Sequence, residues 1–174
     1  MDINNKSIIF LDIDGVLNCE LLYKVPRERP YPLSEICLDR VKLLNDLCEE
    51  INAVVVISSS WRHSGINYCR NTLKECGATF EIIDITPDMR GIARGNEIAK
   101  WLQDNIKPET YGCFYFDFKK YVIIDDDSDM LLNQKDHFFQ TDSYSGLNYT
   151  HIFKIKKFLN SVNNIPNEII TKNN

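Results

Sequence analysis

Apolar residues along this chain fall into two rhythms. Short unbroken runs close on polar or turn residues: "SIIFL" at 7–11, "AVVVIS" at 53–58, "TFEIID" at 79–84, "YVIID" at 121–125 and "HFFQT" at 137–141. Runs of that length, continuous rather than alternating, predict strands buried on both faces. Between them the apolar positions recur at helical spacing. In "SEICLDRVKLLNDLCEEI" residues Cys37, Val41, Leu44, Cys48 and Ile51 share one face, with Ser34 as the expected N-cap. "INYCRNTLKECG" predicts a helix stopped at Gly77. "NEIAKWLQDNI" turns Ile98, Trp101, Leu102 and Ile106 inward. "THIFKIKKFLNSV" does the same with Ile152, Ile155, Leu159 and Val162, leaving Lys154, Lys156 and Lys157 outside. "NCELLYKVPRERPYPLS" reads as a loop.

Alternating strands and helices predict an α/β fold, a mostly parallel sheet with helices on both faces. One domain should span residues 1–163, with 164–174 a flexible tail or the start of a further segment. In such sheets ligands sit beyond the carboxyl ends of the strands. Three strands end there in chemistry. The first runs into Asp12 and Asp14 with Gly15 behind them, the second into Ser58, Ser59 and Ser60, and the fourth into "DDDSD", Asp125 to Asp129. Two carboxylates at the tip of a buried strand lose hydration and raise each other's pKa. A cation is the natural compensation, and carboxylates with water suit Mg²⁺, which shares its shell with phosphate. Hydroxyls from the serines can donate to phosphate oxygens, and Arg94 can neutralise charge developing there. Two aspartates flanking one residue can divide the work of nucleophile and of acid and base.

Composition narrows the picture modestly. The chain has 174 residues, 44% of them hydrophobic, enough for one domain with a real core. A net charge of -5 lacks the basic footprint of a dedicated nucleic-acid binder. No apolar run reaches membrane-spanning length, and the polar "MDINNKS" leads straight into the first strand without a visible signal peptide. The six cysteines form no C-x-x-C pair and read as small buried hydrophobes in a reducing cytoplasm. Abundant Asn, Ile and Lys leave open a bacterial effector delivered into a host cell. The aromatic stretch "YGCFYFDFKKY" is expected to pack in the core or a flap, with a substrate or partner surface as the alternative.

The segments "DIDGVL", "VVVISSSWR", "RGNEIAKWL" and "VIIDDDSDM" resemble the four motifs of the haloacid dehalogenase (HAD) superfamily. With "TDSYSGL" after the fifth strand, they are closest to the small HAD domains associated with RNA-repair proteins. The resemblance spans roughly residues 7–160. It implies a three-layer Rossmann-like core and phosphoryl transfer with Mg²⁺. By that resemblance Asp12 is the nucleophile that forms an aspartyl-phosphate. Asp14 is the acid and then the base, and its backbone carbonyl binds the metal. Ser58 binds phosphate, with Ser59 as the alternative. An arginine replaces the usual motif-three lysine, at Arg94 or else Arg90. Asp126 completes the metal site with Asp12 and Asp14, Asp125 assists, and Asp127 and Asp129 are either solvated or behind the ligands.

HAD enzymes usually select substrates with inserted cap domains. Here the first insertion is short and the second is filled by an ordinary helix and strand, so the site should be minimally capped or uncapped. Open sites admit groups on large molecules, whereas small metabolites usually need enclosure. A phosphoprotein, phosphotyrosine included, and a nucleic-acid 3′- or 5′-phosphate are the expected partners, then a nucleotide. Lys24, Arg27, Arg29 and Arg62, with Tyr23 and Tyr31, are candidates to grip such a substrate. An inactive HAD module used for binding is the alternative of another class.

Overall fold

The five apolar runs become five parallel strands. In a computed structural model that describes residues 6–21, 36–107, 115 and 118–163, they are β1 (Ser7–Leu11), β2 (Ala53–Ile57), β3 (Ile82–Ile85), β4 (Tyr121–Asp125) and β5 (Phe138–Gln140). The sheet order is β3-β2-β1-β4-β5, every pairing parallel. Parallel neighbours need crossovers, and α1 (Leu38–Glu50), α2 (Ile66–Glu75) and α3 (Arg94–Asn105) supply those before β2, β3 and β4, whereas α4 (Tyr149–Asn163) follows β5. Short 3-10 helices cover Ser60–Ser64 and Leu132–His137.

Although each central strand is apolar throughout, its residues still alternate between two cores. Ile9, Leu11, Val55, Ile57, Val122 and Ile124 face α1, α2 and α4, which contribute Leu44, Leu73 and Ile155 among others. Ile8, Phe10, Val54, Val56 and Ile123 face α3 through Ile98, Trp101, Leu102 and Ile106. This is the expected three-layer architecture. Among the described residues nothing forms a cap domain, and α2 and β3 occupy the stretch between the serine cluster and Arg94. Of the dense aromatic stretch, Phe118 and Tyr121 are core residues. Tyr121 stacks on His137 with ring centroids 3.9 Å apart, and His137 meets Phe158 edge to face.

Local details depart from the periodic reading in three places. Helix α1 starts at Leu38 with Cys37, not Ser34, in the N-cap position and no side-chain cap. Cys37 donates its N–H to the Leu17 carbonyl and is buried, so attachment to the loop after β1 fixes the helix start. Strand β3 begins three residues later than expected, because the Thr79 N–H bonds the Asn45 side chain on α1 instead of a strand. On its outer edge, Arg70 of α2 donates to the carbonyls of Ile82 and Ile83. Helix α3 begins two residues earlier than expected, at Arg94. The five described cysteines, Cys19, Cys37, Cys48, Cys69 and Cys76, are buried. Cys113, Ser34, the loop residues Tyr23, Lys24, Arg27, Arg29 and Tyr31, and the tail 164–174 lie outside the described residues.

Candidate active site

The strand register brings the three polar clusters together. Leu11 pairs with Ile57 on one side and Ile124 on the other, so Asp12 emerges between Ser58 and Asp125 at the carboxyl edge. The ladder continues one step past the strands. The Asp12 N–H donates to the Ile124 carbonyl at 2.9 Å, and the Ser58 N–H to the Leu11 carbonyl at 2.8 Å. Strand β1 is the point where the chain order reverses, the place where open α/β sheets bind ligands.

Arg94 reaches this point from the first residue of α3. Its Nη1 lies 2.9 Å from Asp12 Oδ1 and 3.2 Å from Asp125 Oδ2, and also donates to the Ser58 carbonyl. Arg90, by contrast, is almost fully exposed and faces Asp88. The orientation of Arg94 depends on an acid from the cluster after β4. Asp129 Oδ2 accepts the Arg94 N–H at 2.8 Å, and the Asp129 carbonyl accepts that of Gly95. An acid at a helix N-terminus satisfies orphan donors and complements the dipole. Gly95 is needed there, since a Cβ would sit 2.5 Å from the Leu131 backbone nitrogen.

Asp12, Asp125 and Asp126 offer oxygens that all lie within 4.8 Å of one another. Asp126 is seated against Gly15, where a Cβ would meet its Cγ at 2.2 Å. The crowding shows in the acidities. Burial raises the pKa of Asp12, against the Arg94 charge and hydrogen bonds from Ser59, Arg94 and the Ile13 N–H. Burial and then the Asp12 charge push Asp125 up to about 8 despite Arg94. Burial and Asp127 raise Asp126. Asp125 Oδ2, although close to Arg94, makes no aligned hydrogen bond among the described residues. One guanidinium does not compensate three carboxylates. Hard oxygen donors in this arrangement fit a divalent cation such as Mg²⁺.

The serines divide. Ser58 Oγ is buried without a hydrogen-bond partner among the described residues, a hydroxyl that can donate to an incoming acceptor. Ser59, also buried, accepts the Trp61 N–H and donates toward Asp12. Asp14 lies apart from the carboxylate trio, exposed at the mouth of the site. The Trp61 indole N–H reaches both its oxygens, at 3.2 and 3.1 Å, and the Asn18 amide donates to Oδ1 at 2.7 Å. Asn18 also accepts the Gly15 N–H, which closes the turn.

Arg62 is not a free substrate-gripping cation. Its Nη2 donates to both Glu97 oxygens at 2.7 Å, and its Nη1 to the Ser59 carbonyl. Glu97 Oε1 also accepts the Met89 N–H. This buried pair braces the serine turn against α3. The sequence reading missed the partners of Arg62, the helix-capping part of Asp129, and the pairing of Trp61 and Asn18 with Asp14. Glu97, two positions after "ARG", was the one available signal, because a charge among the buried positions of α3 needs a partner.

No described helix is long and apolar enough to cross a membrane. Among proteins of curated function, none matches the chain. The family model described as "HAD domain in Swiss Army Knife RNA repair proteins" matches residues 8–152, which include β1 from its second residue, β2 to β5 and all the clusters above. The chain therefore belongs to this family of HAD domains.

Proposed function

We propose that the chain is a Mg²⁺-dependent phosphomonoesterase that works through an aspartyl-phosphate on Asp12, with the phosphorylated end of a nucleic acid as its substrate. The observation that carries the reading is the Asp12 carboxylate held by Arg94 beside Asp125 and Asp126 at the reversal point of the sheet. Asp12, Asp126 and the Asp14 carbonyl would hold the ion, with Asp125 assisting. Bound there, it would keep the carboxylates ionised and screen the phosphate charge.

The chain's own groups account for the steps. Arg94 and the Ser58 hydroxyl bind phosphate oxygens, with Ser59 adjacent. Asp12 attacks phosphorus; the ester P–O bond breaks, and the leaving oxygen takes a proton from Asp14. Asp14 then removes a proton from water, whose oxygen attacks the aspartyl-phosphate. Inorganic phosphate departs and Asp12 is regenerated.

For substrate, the sequence placed a phosphoprotein slightly ahead of a nucleic-acid end. The family's association with RNA repair reverses that order. Among the described residues, the free, buried thiols of Cys19, Cys37, Cys48 and Cys69 suit a reducing compartment such as the cytoplasm. The test is a screen with Mg²⁺ across 3′- and 5′-phosphorylated oligonucleotides, phosphopeptides and nucleotides. Turnover abolished by EDTA and highest on oligonucleotides is expected. Preference for phosphotyrosine peptides would restore the protein substrate. No turnover on any phosphate ester would leave the inactive binding module.

A further inference from the structure

Trp61 and Tyr68 form an aromatic step beside Asp14, of which the phosphate site uses the Trp61 indole N–H but not the rings. We infer that this step stacks the terminal base of the nucleic-acid substrate and so sets specificity for the leaving group. The inference rests on the reading of the site as a phosphomonoesterase with Asp14 as the acid.

The argument is one of position. A group that protonates the leaving oxygen must come within about 2.6–3.2 Å of it. The Asp14 carboxylate that has to do so is seated on the Trp61 indole N–H at 3.1–3.2 Å. Whatever is attached to the leaving oxygen must then pass over or against the indole. Trp61 is half-buried and packs against the larger core, so it offers a backed surface rather than a swinging ring. Its backbone N–H is held by Ser59, and the next residue, Arg62, is locked on Glu97. Tyr68, from the first turn of α2, lies 6.1 Å from Trp61 ring to ring and is 47% exposed. A surface two rings wide, fixed before the ligand arrives, loses little freedom on binding.

The same geometry favours a base over the ring of a phosphotyrosine. A phenol ring is bonded directly to the leaving oxygen and has only the ring nearest Asp14 to meet. A base stands one sugar away and can reach the second ring. Stacking of a base on an aromatic side chain is tolerant of sequence, so the step would select for a base without selecting which one.

The experiment compares short oligoribonucleotides whose terminal phosphorylated residue either carries a base or is abasic. Wild-type enzyme should favour the base-bearing end about tenfold in kcat/KM, within the range of measured base stacking. Trp61→Leu and Tyr68→Ala should each collapse that ratio, while Trp61→Phe and Tyr68→Phe, which keep a ring, should preserve most of it. A ratio near one in the wild type, or a ratio that survives Trp61→Leu, overturns the inference, as does faster hydrolysis of a phosphotyrosine peptide. Binding gives a readout independent of turnover. In Asp12→Asn carrying Trp101→Phe, Trp61 is the remaining tryptophan, and a base-bearing end should quench its fluorescence where an abasic end does not. Quenching without turnover in the wild type would refute the phosphatase reading and leave the base platform standing. Turnover with no quenching would do the reverse.

Discussion

Gly15→Ala is a small change whose consequences can be worked out from the structure. Gly15 has φ +71°, and an added Cβ would lie 2.2 Å from Asp126 Cγ and Oδ2. A left-handed conformation costs an alanine about 1–2 kcal/mol, and the loss of glycine's freedom in the unfolded chain returns about 0.4–1 kcal/mol. The net backbone effect is about 1 kcal/mol, or about 2–4 °C in Tm for a chain of this size. The steric effect is sharper. Ordinary contact begins at 3.4 Å, so the Asp126 carboxylate must withdraw by about 1.2 Å, the difference from 2.2 Å. That takes it out of a cluster whose oxygens lie within 4.8 Å of one another. A displacement of about 1 Å at a reacting centre can cost about 100-fold in rate. The expected outcome is a variant that is folded, about 100-fold slower on an aryl phosphate at fixed Mg²⁺, and in need of much more Mg²⁺ for half-maximal rate. Thermal unfolding with and without Mg²⁺ checks the metal separately, because an ion that binds only the folded state raises Tm. A variant with the wild-type metal requirement would refute the idea that the missing side chain of Gly15 is what seats Asp126.

Asp12→Asn is nearly isosteric and should abolish turnover, and a beryllium fluoride adduct should sit on Asp12 in the wild type; retention of more than about a tenth of the rate, about 1.4 kcal/mol of barrier, removes Asp12 as nucleophile. Asp126→Ala should raise the Mg²⁺ requirement, whereas Asp129→Ala should mainly lower kcat/KM by loosening Arg94, with little change in metal dependence; a metal titration of both variants separates them. Arg62→Met or Glu97→Leu alone should destabilise by about 3–5 kcal/mol because each strands a buried charge, and the double variant should recover part of that loss in a denaturant titration. Burial lowers the pKa of His137, so the unfolded chain binds the extra proton more readily. Stability should therefore hold above pH 6.5 and fall as pH drops below it toward the folded-state value; His137→Gln should flatten that part of the curve.

Much of this molecule can be read from its periodicities. β-branched runs locate the sheet, and the 3.6-residue spacing of Ile98, Trp101, Leu102 and Ile106 gives the buried face of α3, all four positions being buried. The convergence of Asp12, Ser58 and Asp125 follows from parallel topology alone, because consecutive strand ends share one edge. What periodicity does not carry is side-chain pairing between distant elements. Arg62 and Glu97 are 35 positions apart, as are Arg94 and Asp129. Each pairing depends on where the first turn of α3 meets the segment that follows another strand, β2 for Arg62 and β4 for Asp129. Loop-driven ends are hidden for the same reason: Ser34 is a better capping residue than Cys37, yet the bond from Cys37 to Leu17 decides where α1 begins.

The Arg70 guanidinium on the outer edge of β3 bears on how copies of this chain behave together. An open edge of a parallel sheet is a template on which another chain can add a strand. Here Arg70 occupies the carbonyls of Ile82 and Ile83 that such a strand would need. It also places a charge on the approach path. The cover is not part of the strand; it is carried by α2, a ten-residue helix. Fraying of α2 would therefore uncover the edge before the sheet itself came apart. Self-association of this protein should begin from a state that has lost that one helix, and its onset should follow the local stability of residues 66–75 rather than the global melting of the domain.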